Sequence, residues 1–274
     1  MSLVSVIMSV YNAELDILKD SVESILSQEY NDFEFIIIND TNSIKVDKYL
    51  DSMKKKDPRI VIINNDKNIG LTNSLIKGIK FSKGKYIARQ DVDDISFSDR
   101  LKLQVQYLEN NTDTSLIGTW YITEYYNQLT DYYRYLNNSE ELKNQMLYTN
   151  PICHASAMFT RKHYGLTNGY NPKYKTVQDL DLWLSLAKIG NIGMIEKILV
   201  KRRIMDSSLS VSNKAYKQVF NSLLIRLNHY QNHKKSFFSL IKILMGFIYH
   251  LIITVVTPRL YIRILNRIKL SRQK

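Results

Sequence analysis

LVSVIMSVYNAELDILKDSVESILSQEYNDFEFIII, residues 3 to 38, holds two β-rich runs separated by an amphipathic stretch. LVSVIMSV (3 to 10) and FEFIII (33 to 38) are short runs of β-branched and aromatic residues and read as strands. Between them, DILKDSVESILSQ places Ile17, Leu18, Val22, Ile25 and Leu26 on one helical face. The rhythm continues outward. RIVII (59 to 63) and KYIA (85 to 88) read as further strands, and GLTNSLIKGIKF between them aligns Leu71, Leu75 and Ile79. Alternating strands and helices predict an α/β fold with a largely parallel sheet covered on both faces. In such sheets ligands bind beyond the carboxyl ends of the strands. The segments at those ends are residues 9–14, 39–43, 64–70 and 89–94, so Asp40 is expected beside the acidic run RQDVDD.

Composition sets the frame. A chain of 274 residues with 45% hydrophobic content is long enough for one large domain or two small ones. A single cysteine, Cys153, excludes an intramolecular disulfide and a cysteine-held zinc, and no HExxH spacing substitutes for it. With no secretory leader in the sequence, a cytoplasmic address is expected. The net charge of +12 is unevenly placed: after Asp206 there are twelve Lys and Arg and no acid, which leaves 26 basic against 26 acidic residues before it. The front is therefore neutral and lacks the basic stripe of a nucleic-acid binder, and the tail carries the whole excess.

Asp91, Asp93 and Asp94 crowd into four positions and repel one another unless something positive offsets them. Asp99 suffices to cap the following helix, DRLKLQVQYLE, so the cluster exceeds what capping needs. A hard cation, Mg2+ or Mn2+, accounts for it, because such ions take one or two carboxylates and fill their remaining positions with water and phosphate oxygens. The ligand is then a diphosphate. A P-loop and a GxGxxG turn are both absent from the sequence, as is a Gly-rich, Arg-bearing loop after the first strand, which leaves a nucleotide sugar as donor. Asp40 also has a local reading as a turn former or helix cap, and Arg89 is either a phosphate contact or an ordinary surface charge.

SVIMSVYNAE, IIIND, NIGLTNSLIKGIKFSKGKYIARQDVDDIS and VQDLDLWLSLAKIG, in this order and spacing, resemble glycosyltransferase family 2 enzymes with the GT-A fold, over roughly residues 3 to 210. The resemblance implies a Rossmann-like, mostly parallel central sheet with flanking helices. It divides the chain into a GT-A domain at 1–210, with a nucleotide-sugar half at 1–120 and an acceptor half at 121–210, and a helical, basic tail at 211–274. It implies inverting transfer from a nucleotide sugar, most often a UDP-sugar, assisted by a divalent metal. The enzyme class is hexosyl- or N-acetylhexosaminyltransferase.

Position by position, the resemblance places Tyr11, Asn12 and Glu14 at the nucleotide end, Asp40 on the base, and Asp91 toward the ribose, with Arg89 as a phosphate contact. Asp93 becomes the principal metal-facing carboxylate and Asp94 its support. Asp179, at the start of a helix whose Leu182, Leu186 and Ile189 are expected to face inward, matches the catalytic base and doubles as a helix cap. In PICHASAMFTRKHYG, His154 and Ser156 match a stretch bordering the acceptor, and Trp183 is a packing residue or a wall of the sugar pocket. A Cys153–His154 nucleophile is rejected on the expectation that neighbours in a strand point to opposite faces. One departure matters. Where the family carries an Arg-x-His-x-x-Ser-x-Ser segment, RIMDSSLS puts Met205 at the histidine position, and a thioether is a poor ligand for a hard cation.

The tail is expected to set location. Phe237 to Val256 is a mostly apolar run of 20 residues interrupted by a polar stripe, and RLYIRILNRIKL (259 to 270) repeats the amphipathic design with arginines. This pattern predicts a helix lying on an anionic membrane surface, peripheral to the inner face of the cell membrane, ahead of helices packed on the domain or in a homodimer, with a true span third. The resulting picture is a transferase acting on a saccharide or lipid-linked saccharide in surface polysaccharide assembly. A catalytically dead scaffold and a carbohydrate hydrolase are the rivals.

Overall fold

The computed structural model describes residues 3–125, 128–204, 215–230 and 237–256. Its first half is the expected alternation: β1 (Val4–Val10), α1 (Leu15–Leu26), β2 (Phe33–Asn39), α2 (Ile44–Lys56), β3 (Ile60–Asn64), α3 (Leu71–Phe81) and β4 (Tyr86–Arg89). The second half adds β5 (Ile95–Ser96), α4 (Arg100–Asn110), β6 (Thr114–Tyr125), β7 (Gln128–Tyr133), α5 (Ser139–Met146), a 3-10 turn (His154–Ser156), β8 (Met158–Thr160), α6 (Arg161–Tyr164), α7 (Gln178–Ile189) and β9 (Asn191–Ile204). Two further helices, α8 (Ala215–Tyr230) and α9 (Phe237–Val256), follow.

One curled sheet runs through the molecule in the order β3-β2-β1-β4-β8-β6-β9-β5, with β7 on β6. β1 pairs parallel with β2 and β4, and β2 with β3, so the carboxyl ends of these strands share one edge. The rest is mixed: β8 is antiparallel to both β4 and β6, while β9 runs parallel to β6. Alternation along β1 assigns the faces. Val4, Val6, Met8 and Val10 join the cluster formed with Leu18, Val22 and Ile25 of α1 and Leu101 and Val105 of α4. Ile7 joins Leu75 and Ile79 of α3 and the apolar face of α7 on the other side. Both faces are therefore covered, and polar chemistry is confined to the edges and loops.

α8 belongs to this packed body. Ile225 is fully buried in the α7 cluster, and His229 and Arg226 are buried with it. The tail expected to begin at residue 211 thus has its first helix docked on the domain. Its segment 257–270, on which the amphipathic expectation rests, lies outside the described residues, as do Met205 and the serines after it. Among the described residues, no helix is long and apolar enough to cross a membrane.

Candidate active site

The edge formed by β1, β2, β3 and β4 gathers the expected loops. Tyr11 is 52% exposed, Asn12 takes a left-handed φ of 48°, and Glu14 occupies the exposed N-cap position of α1 without capping it through its side chain. Asp40 has a different job from the one expected. Its Oδ1 accepts from Asn65 Nδ2 at 2.7 Å and Ile69 N at 2.9 Å, and its Oδ2 from Gly70 N at 2.9 Å. Buried and committed to these donors, it fixes residues 65–70 ahead of α3, where Gly70 at φ 82° supplies the turn. A carboxylate so engaged frames the nucleotide edge.

The acidic run is answered from beneath by arginines. Arg89 is 2% exposed, so it is no surface charge; its guanidinium pairs with the Asp91 carboxylate and donates to Ile7 O. It supports Asp91 from inside. Burial pushes the Asp91 carboxyl up, but the charges of Arg89 and Arg202 help to outweigh it and hold it below the usual carboxylate range. Asp94 is buried, with Oδ1 accepting from Arg203 N at 2.9 Å. Burial, Asp93 and Asp91 push its pKa well up. Asp94 therefore ties the acidic loop to β9, a structural use that removes it from the front of the cluster. Asp93 is raised to about 6 by burial and by the charge of Asp91. An added cation would favour its charged form, as it would that of Asp94.

Two residues that the sequence reading missed build this arrangement. Arg100, fully buried at the start of α4, donates to Gln90 Oε1, Ser96 Oγ, Ala155 O, Arg89 O and Gln104 Oε1 over 2.6–3.1 Å. It joins the end of β4 to the turn that carries His154, and burial draws its pKa down to about 9, leaving it charged at neutral pH. Arg202, on β9, lies within the field of the acidic run. Burial opposes its charge, yet the surrounding Cys153, Tyr121 and Asp94 raise its pKa. The next residue, Arg203, turns the other way toward Glu124 and Asp20. The available sequence signal was the alternation of Arg202 and Arg203 on a strand opposite the acidic loop. Asp99 takes the N-cap position of α4 but its side chain pairs with Lys197 in place of capping.

The acceptor half contributes Asp179, His154 and their supports. Asp179 is the second residue of α7, not its cap; the cap position belongs to Val177, at φ 61°. A β-branched residue in that region is a strained outlier. Asn150 Nδ2 donates to Asp179 Oδ2 at 2.7 Å, and burial nevertheless raises the Asp179 pKa, with Asp91 adding to the rise. His154 lies in the 3-10 turn, not a strand; its Nε2 meets Tyr170 OH at 2.8 Å and its ring packs edge-on against Trp183, centroids 5.9 Å apart. Burial and Arg89 lower His154 to about 3, while burial raises the Cys153 thiol to about 12, so neither has the ionisation a Cys–His nucleophile needs. Ser156 is fully buried and donates to Cys153 O at 2.9 Å, and Trp183 is fully buried behind His154. Ile189, expected inward, is 38% exposed.

Among the described residues, no cluster of three or more His, Cys, Asp or Glu could hold a metal. The donor set still fits a hard cation that takes one or two carboxylates and draws its other oxygens from substrate, with Asp93 and Asp91 as candidates.

An α/β sheet that opens an acidic loop at the end of β4, with a second carboxylate at the start of α7, defines a GT-A glycosyltransferase. The sequence pattern described as glycosyl transferase family 2 matches residues 5–165, and the chain belongs to that family. It is 34% identical to an uncharacterised glycosyltransferase of Methanocaldococcus jannaschii, over 97% of this chain and 93% of the relative. Its fold is similar to that of S. aureus TarS in complex with UDP, with a TM-score of 0.65 and 14% identity over 89% of this chain and 70% of that one. It is similar as well to a mannosyltransferase of Pyrobaculum calidifontis in complex with GDP-Man and Mn2+, with a TM-score of 0.62 and 12% identity over 89% of this chain and 73% of that one.

Proposed function

We propose that the protein is an inverting transferase that moves a sugar from a nucleotide sugar, a UDP-sugar in the first instance, to a hydroxyl of a saccharide or lipid-linked saccharide in surface polysaccharide assembly. The observation that supports this reading is a pair of carboxylate sets from opposite halves of the chain: the acidic loop after β4, where Asp91 pairs with the buried Arg89, and the buried Asp179 of α7, held by Asn150. In the proposed reaction Asp179 takes the proton of the acceptor hydroxyl as that oxygen bonds to the anomeric carbon. The bond from that carbon to the diphosphate breaks on the opposite face, and its electron pair leaves with the nucleotide. Asn150 orients the base, while Tyr11, Asn12, Glu14 and Asp91 bind the nucleotide end. His154, neutral and backed by Tyr170 and Trp183, borders the acceptor.

Asp93, with Asp91 beside it, would hold Mn2+ or Mg2+. When bound, such an ion neutralises charge that develops on the leaving diphosphate. Arg202 is the protein's own positive charge at the same place. The proposed location is the cytoplasmic face of the cell membrane. Phe237, Phe238, Met245, Ile248 and Ile252 of α9 are exposed, and the sequence from 207 to 274 around them has twelve cations and no acid.

A screen of UDP- and GDP-sugars for nucleotide release, with and without Mn2+, tests the activity, and Asp179→Asn tests the base. Loss of transfer with retained UDP binding is the expected result. Transfer by Asp179→Asn at the original rate would remove Asp179 from the role, and no binding of any nucleotide by the native protein would remove the whole reading.

A further inference from the structure

α8 lies beyond the residues 5–165 that the family pattern covers, yet it holds the segment leading into α7 at several points. Asn228 Nδ2 donates to Tyr174 OH at 3.3 Å and Asn221 Nδ2 to Thr176 Oγ1 at 3.0 Å. His229 Nε2 meets Asp181 Oδ1 at 2.9 Å, and both side chains are largely buried, 9% and 14% exposed. Arg226 Nε donates to Met146 O at 3.0 Å, at the end of α5 and shortly before Asn150, the partner of Asp179. These contacts bracket Val177 and Asp179 on both sides. They bear on a stretch that needs holding, because Val177 occupies a strained left-handed conformation, which persists only where the surroundings enforce it. Arg226 is also buried within the field of Asp179, whose charge opposes the lowering that burial imposes on it.

We infer that α8 is a positioning element for the catalytic helix, with His229 as its central positioning residue: its bond to Asp181 fixes the first turn of α7 and so the direction of the Asp179 carboxylate. His229 touches no reacting atom in this account and acts through Asp181. The inference rests on Asp179 being the base for its kinetic consequence, while the mechanical claim, that α8 orders residues 177–182, stands apart from it. A misplacement of the base by a fraction of an ångström to an ångström lowers turnover and leaves donor binding alone, since the nucleotide edge is built on β1 and β4.

The test uses the full chain and two variants. His229→Leu removes the donor to Asp181, and His229→Gln restores an amide donor in its place. For His229→Leu, amide hydrogen exchange in residues 177–182 is expected to accelerate about tenfold or more with the β1 and β4 amides unchanged, and UDP affinity in the presence of Mn2+ to stay within about twofold. With the sugar nucleotide turned over in the donor screen, kcat falls about tenfold to a hundredfold at constant KM, and His229→Gln recovers most of it. Exchange in residues 177–182 no faster than in the native chain overturns the inference. So does acceleration spread evenly over the sheet, which would make His229 an ordinary stabilising residue. Ordered exchange losses together with full activity of Asp179→Asn would leave the α8 clamp standing and remove the base, so the two failures are distinguishable.

Discussion

Replacing Arg100 by Met keeps much of the side chain's length and removes the charge and every donor. The structure sets the size of the effect. The guanidinium makes five hydrogen bonds, to Gln90, Ser96, Ala155, Arg89 and Gln104, all in a fully buried position. Each acceptor left without a partner costs about 1–3 kcal/mol, while the lost burial of the guanidinium refunds part of the sum. Gln90 and Ser96 retain one another through Ser96 Oγ donating to Gln90 Oε1 at 2.7 Å, so the two are not both orphaned. The lasting losses are the carbonyls of Arg89 and Ala155 and the positive charge felt by Asp94 and Asp91. A net destabilisation of about 3–5 kcal/mol follows, the range found on breaking buried charged networks. Equilibrium urea unfolding followed by the fluorescence of Trp120 and Trp183 measures it. Arg100→Lys, with a single point of charge in place of a planar fork, should recover only part of the loss. A loss below about 1 kcal/mol for Arg100→Met would refute the view that this cation organises the donor loop, since that is an ordinary effect for a substitution anywhere in the molecule.

Two further outcomes are expected. Because burial raises the Asp179 pKa and a base acts only when deprotonated, kcat/KM should rise with pH through a limb above the usual carboxylate range; Asn150→Ala, which removes a bond that lowers it, should move that limb higher, and a downward move would contradict the assignment. Phe238→Ser with Ile248→Ser on α9 should weaken binding to phosphatidylglycerol-rich liposomes more than tenfold, roughly the value of two apolar side chains, with unchanged thermal stability; unaltered liposome binding, or conversion of a dimer to monomer by the same changes, would give the α9 face to another occupant.

The parallel half of the fold was legible because its strands are short, β-branched and separated by helices with a clear apolar face, and the edge that follows from this order was legible with it. β1 to β4 lie within a residue or so of their sequence limits. What escaped was the direction of individual polar side chains. Asp40 looked free because its partners, Asn65 and the amides of Ile69 and Gly70, come from a loop 25 to 30 residues away. Arg100 and Arg202 were passed over because charged residues are ordinarily surface residues, and only the three-dimensional meeting of β4, β9 and α4 makes their burial favourable. Asp179 was misread as a cap because Val177 enters the left-handed region and starts the helix two residues early, a conformation no residue preference anticipates. The docking of α8 escaped for another reason: net charge dominated the reading of residues 211–274, while the helix contacts are made by Asn221, His229 and Asn228, which add little to that charge.

The acidic crowding at Asp91, Asp93 and Asp94 resolves into unequal carboxylates. Asp91 is paired with Arg89, Asp94 is buried against the Arg203 amide and raised well above the usual carboxylate range, and Asp93 is raised to about 6, so the mutual repulsion falls on Asp93 and Asp94. A site built this way is prepared for positive charge at one point and holds its neighbours fixed while that charge arrives, which is the arrangement that lowers reorganisation cost during transfer. Backbone strain follows the same boundary. Among the described residues, the non-glycine positions with positive φ are Asn12, at the nucleotide end of β1, and Val177, at the entrance to the catalytic helix. Strain of this kind costs about 1–3 kcal/mol per residue and survives only where surrounding contacts impose it. Asn12 is of a residue type that tolerates this region, whereas Val177 is not, and at Val177 the flanking hydrogen bonds come from α8. If Asp179 is the base, as proposed, its place depends on contacts from α8, and differences in turnover among relatives with similar acidic loops should trace to how that helix is anchored.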